Sequence, residues 1–442
     1  MGFAKKSTSG GGGKVVNGVL GEFYSGYNVK IPPSSFVEKI AQSGVRSDSV
    51  SSEAKAVVNC VLNDTTFIRG CTTGSSTIEF RKVTCSNGAT TLGGQLLIYA
   101  PTATTSWGTS VVALHKIDDS RVLAIYTSNL TYHAAVLDVS GDKPVAGTAV
   151  SVGVATAGID YIWGRIAHVS GEKFLVCVDN GIPVYGVILQ TSGMTVTVVK
   201  SKVNVGQCAQ KSFDLKKVAD NLFALSHGRS TLTLSFINTA NDGIVVDSST
   251  VINSSSNTAF GSSIAVVDSN TLFISHSNAS SSYYLNGMVV KINGSAITQI
   301  GTDVALETAT QTSGRLTFAF VLSDNKVVIF ARKSGADGVN YYRAGVYVVA
   351  INGTTVTLER VSTISNTLDY MNSMGSIYAA SSPSAGRIYL SFLGKSTGSS
   401  CYSFAGYYYV DDNKVIPATS AISGLSKSNI TDKVPGKAYV LA

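Results

Sequence analysis

Charge is scarce in this 442-residue chain: only 14% of its residues are Asp, Glu, Lys or Arg, against about 25% in an ordinary globular protein. The net charge of +7 is spread thinly, and Lys5, Lys6 and Lys14 form the one noticeable basic cluster, inside a Gly/Ser tail. No basic stripe interleaves with aromatics, which argues against nucleic acid as a partner. Apolar runs are short too. None reaches the roughly 18 residues that span a bilayer as a helix, and the N-terminus lacks the apolar core of a secretory signal. The expected route is synthesis in the cytosol without export by the usual machinery. Myristoylation is excluded by Lys6, which stands where the pattern wants Ser or Thr.

Cysteine and proline are sparse as well. The six cysteines (Cys60, Cys71, Cys85, Cys177, Cys208, Cys401) show no CxxC spacing, so they read as plain buried thiols in a reducing compartment rather than metal ligands. Helical periodicity is nearly absent, and Ser51–Val58 (SSEAKAVV) is its best candidate. What remains is rich in Ser, Thr, Val, Tyr and Gly. β-Branched and aromatic side chains suit a pleated, half-buried surface, so the expected class is all-β.

One pattern recurs along the chain. A short apolar strand ends in a polar turn at Asn63-Asp64, Asp118-Asp119, Ser170-Gly171, Asp220-Asn221, Ser269-Asn270, Asp324-Asn325 and Ala385-Gly386. A second apolar strand follows each turn: TFIRG, RVLAIY, KFLVCV, LFALSH, TLFISH, KVVIFA and RIYLSF. Next come a Ser/Gly/Asn-rich connection and a third strand that alternates, as in GMVVKI and GVYVVAI. Asn293-Gly294 and Asn352-Gly353 then supply type I′ hairpin chemistry before the fourth strand. Successive turns stand about fifty to sixty residues apart, within the span of propeller blades. A unit that small cannot bury a core alone. The spacing therefore predicts a seven-bladed β-propeller over Ser51–Gly424, with six to eight blades as the range.

Outside it lie a Gly/Ser-rich arm, Met1–Gly13, further strands in Lys14–Val50, and a C-terminal piece, Leu425–Ala442. The terminal strands are expected to pair into a small β module. Phe36–Ile40 (FVEKI) is expected to add an outer strand to the last blade, protecting an open edge.

The opening MGFAKKS, the segments GGGGKVVNGV and NVKIPPSSFVEKI, the repeated LFISHSN and YYLNGMVVKINGSAITQIGTDVAL, and the closing ISGLSKS and VPGKAYV resemble structural proteins of phages and prophages of Firmicutes. The closing stretch is also similar to short β modules of phage head-decoration proteins. The resemblance implies a virion protein, assembled in the host cytoplasm in many copies. It would be held by a major capsid, tail or baseplate protein, on the head or the tail, and could display the propeller toward host glycans. Two alternatives are a secreted lectin-like bacterial propeller, disfavoured by the missing signal, and a tail-fibre receptor-binding protein.

Enzyme signatures are wanting. GxSxG and HExxH do not occur. The GGGGK of Gly10–Lys14 fails as a phosphate loop, with Thr8 in place of a glycine and Val15 in place of Ser or Thr. Ser382–Tyr389 (SPSAGRIY) carries Ser384 where the aspartate of a sialidase turn would stand. Asp118-Asp119 and Asp411-Asp412 read as polar turns, not as the paired carboxylates of a glycosidase. No catalytic activity, metal or cofactor is expected. Among five histidines, His115 and His168 fall on first strands, His133 after a loop, and His227 and His276 on second strands after a serine. Because no acidic partner recurs with them, they read as locally hydrogen-bonded strand residues. The remaining candidates for binding glycan or protein are the tyrosines Tyr283, Tyr284, Tyr341, Tyr342 and Tyr402, placed in loops between second and third strands. Tyrosine offers a flat apolar face and a hydroxyl. The weightier reading, however, is that these residues begin the third strand and pack between adjacent blades, with one of each pair facing a neighbouring sheet.

Overall fold

The computed structural model describes residues 57–417 except 64, 73–76, 87–88, 100–108, 155–162, 180–181, 209–212, 255–259, 279–283, 308–316, 324, 335–341, 365–369, 372–376, 382–386, 396–400 and 411–414. The described residues form seven antiparallel sheets, each from one contiguous stretch of chain, and in each the four main strands follow one another in sequence order. Sheet 1 comprises Val57–Asn63, Thr66–Thr72, Thr77–Ser86 and Ala89–Tyr99. Sheet 2 comprises Ser110–Lys116, Arg121–Ser128, Thr131–Asp138 and a split fourth strand, Val145–Ala146 and Val150–Val154. Sheet 3 runs Gly164–Ser170, Lys173–Asp179, Pro183–Ser192, Thr195–Gln207. Sheet 4 runs Asp214–Ala219, Leu222–His227, Leu232–Asn238, Val245–Asn253. Sheet 5 has Phe260–Asp268, Thr271–Asn278, Tyr284–Asn293 and another split fourth strand, Ala296–Ile300 and Val304–Ala305. Sheet 6 has Thr317–Ser323, Lys326–Ser334, Tyr342–Asn352 and Thr355–Ile364. Sheet 7 has Ile377–Ser381, Arg387–Lys395, Cys401–Val410 and the short Val415–Pro417, with Tyr370–Met371 also paired to its second strand.

Each first strand packs against the first strand of the next sheet, and that of sheet 7 against that of sheet 1. Four-stranded meanders set side by side around their first strands are the arrangement of a β-propeller. Every turn that served as a ruler in the sequence lies between the first and second strands of one sheet.

The helix candidate Ser51–Val58 is corrected at its described end, because Val57 and Val58 open a strand. Both β-branched residues are buried there, and packing overrides a weak helical pattern. Third strands are buried on both faces. Leu285–Val290 is buried without interruption, since neighbouring sheets cover both faces of the strand. Outer strands carry the exposure instead: Val245–Asn253 is almost wholly exposed, with Val245 and Val251 open to solvent. The fourth strand of sheet 7 is the C-terminal Val415–Pro417, and Phe36–Ile40 lies outside the described residues, as do the arm and both halves of the terminal module.

Second strands repeat one anchor. Phe67, Phe174, Phe223 and Phe273 are all fully buried, each stabilising by about 2–3 kcal/mol. Apolar layers fill the gaps between neighbours: Ile125 and Val136 meet Phe174 and Val187 between sheets 2 and 3. Phe236 and Ile274 share the layer between sheets 4 and 5, and Phe273 and Tyr347 that between sheets 5 and 6. Hairpins between third and fourth strands turn through Gly193, Gly294 and Gly353, at φ of 56°, 58° and 62°, where a Cβ is disfavoured. These turns lean on the fourth strand of the preceding sheet. Gly147 and Gly301 are the points of closest approach, and a Cβ there would overlap the carbonyl oxygens of Met194 and Thr354. The fourth strands of sheets 2 and 5 split at those glycines.

Candidate functional site

The two ends of the sheets differ. At one end, strands are joined by tight turns such as 171–172, 220–221, 269–270 and 353–354. At the other end leave the longer connections, among them 100–108 (APTATTSWG), 155–162 (ATAGIDYI), 279–283 (ASSSY), 308–316 (TATQTSGRL) and 335–341 (GADGVNY). Toward these ends of the described strands the interior turns polar.

Hydroxyl pairs join the end of a second strand to the start of the next sheet. Ser226 Oγ lies 2.8 Å from Ser262 Oγ, and Ser275 Oγ 2.9 Å from Thr317 Oγ1. Between sheets 1 and 2, Thr72 Oγ1 accepts from the Val111 amide at 3.0 Å. The serines that precede His227 and His276 thus tie their sheet forward.

The histidines tie it sideways and back. His227 Nδ1 lies 3.0 Å from the carbonyl oxygen of Gln207, in the last strand of sheet 3, and its Nε2 lies 2.8 Å from Ser235 Oγ. Burial holds its pKa below the ordinary histidine value. His276 Nε2 donates to Asp303 Oδ1 at 3.0 Å. Asp303 Oδ2 also accepts from Asn286 at 2.9 Å and from Asn253, in the last strand of sheet 4, at 2.7 Å. Burial works against the Asp303 carboxylate, but the hydrogen bonds and charge of His276, with the two amides, hold its pKa below the usual range. Among the described residues, His276 thus has an acidic partner that His227 lacks. Asp303 is 27 residues from His276 in sequence and reaches it because the fourth strand breaks after Ile300.

A second network links the first strands of neighbouring sheets. Arg165 Nε donates to Asp214 Oδ1 at 2.7 Å, while Asp214 Oδ2 accepts from Ser263 Oγ at 3.0 Å and from the Ile264 amide at 2.9 Å. Ser263 Oγ in turn accepts from the Ala319 amide at 3.0 Å. Four sheets, 3 to 6, are joined by that chain. The Arg165 guanidinium stands 4.1 Å over Trp163, a cation–π contact that shields it. Asp214 is 1% exposed. Burial pushes its pKa up, and Lys216, Arg165 and the Ile264 amide more than reverse this, leaving it below normal. Between sheets 2 and 3, Tyr132 Oη donates to Asp179 Oδ1 at 2.9 Å; burial first, then Asp179, raises the phenol pKa well above normal.

The described tyrosine candidates stand at the starts of third strands. Tyr284 and Tyr342 are the first residues of third strands and Tyr402 the second, paired with Asn278, Ser334 and Gly394. They are strand residues rather than loop residues, whereas Tyr283 and Tyr341 lie outside the described residues. His115 and His168 flank Phe174 edge-on, at 5.4 and 5.6 Å. His133 stacks on Tyr126. Cys60, Cys71, Cys177 and Cys208 are buried free thiols, and burial drives the Cys60 pKa up to about 12. Asp118 accepts from the Ser120 amide and from Arg121 within its turn. No helix among the described residues is long and apolar enough to cross a membrane.

No family model matches the chain, and no curated protein matches its sequence. Solved structures do match in shape. A protein from Lactobacillus plantarum superposes with a TM-score of 0.51 at 13% identity, over 82% of this chain and 95% of that one. The WD40 domain of Toxoplasma gondii coronin gives 0.45 at 12% identity, over 68% and 67%. The SapL1 lectin, solved with alpha methyl fucoside, gives 0.44 at 10% identity, over 72% and 98%. At such identities the likeness is one of fold.

Proposed function

We propose that the seven sheets are the blades of one closed propeller, and that the chain is a non-enzymatic structural protein of a bacteriophage particle. In this reading Met1–Gly13 is a docking arm, and Lys14–Val50 and Leu425–Ala442 form a small β module. That module docks on a capsid, tail or baseplate protein, and the propeller faces the medium on the head or tail. The virion context comes from the sequence resemblance. The observation that carries the non-enzymatic part is the use made of the buried titratable groups. Arg165, Asp214, Tyr132, Asp179, His227 and His276 each tie one strand or sheet to another. Groups so engaged stabilise a ring and are poorly placed to move protons on a substrate.

The face of long connections supplies the contact surface. Its Ser, Thr, Asn and Tyr suit weak bonds to host-surface glycans, which many copies per particle would convert into avidity. Replacing Tyr284 and Tyr342 by alanine should then reduce adhesion and leave incorporation unchanged. The primary test is deletion of Met1–Gly44, scored both for folding and for incorporation into particles. The reading predicts a folded propeller missing from particles. Normal incorporation of the truncated chain would refute anchoring through this segment.

A further inference from the structure

One buried cation of sheet 1 is only partly neutralised by its partners. Arg69 is 1% exposed, and a guanidinium does not shed its proton. Its Nη2 donates to Glu79 Oε1 at 2.6 Å, but its Nε and Nη1 are buried with no hydrogen-bond partner among the described residues. Nor does Glu79 serve Arg69 alone. Arg81 Nε donates to the same Oε1 at 2.8 Å, and Arg81 Nη2 reaches Oε2 at 3.3 Å. Two guanidiniums thus share one carboxylate, which leaves one positive charge in excess. We propose that the unpaired side of Arg69 holds a small monovalent anion of halide size, enclosed where sheet 1 meets sheet 7.

The strand register says which way these donors face. Asn59, Arg69, Arg81 and Gln95 stand opposite one another across the four strands, so their side chains share one face of the sheet. Gly70 lies on the other face, where a Cβ would meet Val111 of sheet 2 at 2.8 Å. The Arg69 row therefore faces away from sheet 2 and toward sheet 7, whose first two strands pack on Val57–Asn63. No strand of sheet 7 contains an Asp or a Glu. The strands of sheet 1 contain Glu79 and no other acid.

A buried donor without a partner is rare in a folded chain, and a bound ion is one of the few physical accounts of one. Charge and space select the ion. One excess positive charge matches one negative charge, whereas a dianion would bring a surplus up against the Glu79 carboxylate. Protein interiors are close-packed, so only a small ion fits between two packed sheets. Its effect falls on the boundary between the first sheet and the last. With the charge of Arg69 neutralised there, the packing of sheet 7 on sheet 1 becomes anion-linked.

The test is thermal unfolding of the full chain, joined to bromide anomalous diffraction from wild-type crystals. Sodium bromide replaces sodium gluconate stepwise at a constant ionic strength of about 0.1 M, so that surface charges are screened alike; gluconate is too large for the same place. The wild type is compared with Arg69→Met, Glu79→Gln and Lys200→Met, the last an exposed control. The wild-type midpoint should rise with the logarithm of bromide concentration, as mass action requires, and Lys200→Met should follow it. Arg69→Met should lose the difference between the salts. Glu79→Gln, with two guanidiniums and no carboxylate, should enlarge it. If those two variants fail to fold, the anomalous map decides, and it should show bromide in contact with Arg69. Equal wild-type midpoints in the two salts, a difference retained by Arg69→Met, or a map with water or a carboxylate of the chain against Arg69 in place of bromide would each overturn the proposal. The virion reading is untouched by any of these results.

Discussion

Removing the Asp214 carboxylate, as Asp214→Ala, strikes the network that joins four sheets. Arg165 Nε at 2.7 Å loses its anion, and Ser263 Oγ and the Ile264 amide lose the acceptor they share. Arg165 is 7% exposed and cannot shed its proton, so the variant holds a buried charge facing no counter-ion. Breaking a buried pair on one side costs about 3–5 kcal/mol. That is a large part of the ~5–15 kcal/mol that stabilises a typical protein. Urea unfolding followed by tryptophan fluorescence is a suitable assay, because Trp163 touches the Arg165 guanidinium and reports on the site directly. The double variant Arg165→Met with Asp214→Ala removes the stranded charge and should recover about 1–3 kcal/mol of the loss. The folded-state pKa of Asp214 lies below its ordinary value, so this stabilisation is present above the ordinary carboxylate pKa and is lost as pH falls through the lower, folded one. The cost of Asp214→Ala should therefore be equal at pH 8 and pH 6. A cost under about 1 kcal/mol, or a double variant no more stable than the single one, would refute the reasoning.

Two further substitutions and one titration probe the same account. The His115 pKa is lowered to about 4, by burial first and then by His168 and Lys216, against the small opposing effect of its Ile166 backbone contact. The unfolded chain therefore takes up the proton first, and stability present above pH 6.5 should fall as pH drops toward 4. The loss should reach at most about 3 kcal/mol at about 1.4 kcal/mol per pH unit, and His115→Gln should flatten that part of a pH–stability curve. Gly301→Ala should destabilise by about 1–3 kcal/mol in thermal unfolding, because the new methyl group meets the Thr354 carbonyl. Gly171→Asn should change stability by less than about 0.5 kcal/mol, since Gly171 has φ of 54° with nothing near its Cβ position and asparagine tolerates that conformation.

The repeat was readable because its punctuation is local. A turn such as Asp220-Asn221 needs only its own residues, and Asn221 does adopt φ of 56°. Third strands were harder to read. Alternation in GMVVKI says nothing of what covers each face, and burial between sheets depends on neighbours about fifty residues away in either direction. The Ser-His recurrence was visible at 226–227 and 275–276, yet its meaning lay in partners on other sheets: Ser262 and Thr317 forward, Gln207 and Asn253 behind. Asp303 gave no signal by spacing, because a glycine-permitted break in an outer strand brings it to His276. Arg165 and Asp214, 49 residues apart, were missed for the same reason. The tyrosines were read either as loop residues or as the first residues of third strands, and the strands begin at Tyr284 and Tyr342.

The central claim is a seven-bladed ring carried on a phage particle with its termini inward. Electron cryo-microscopy of particles from the host that encodes the chain tests it most directly. The account predicts seven-bladed rings at regular positions on the head or tail, with residues 1–50 and 425–442 at the contact with a capsid or tail protein and the long-connection face outward. Particles without such rings, rings of another blade number, or rings seated by the long-connection face would contradict it.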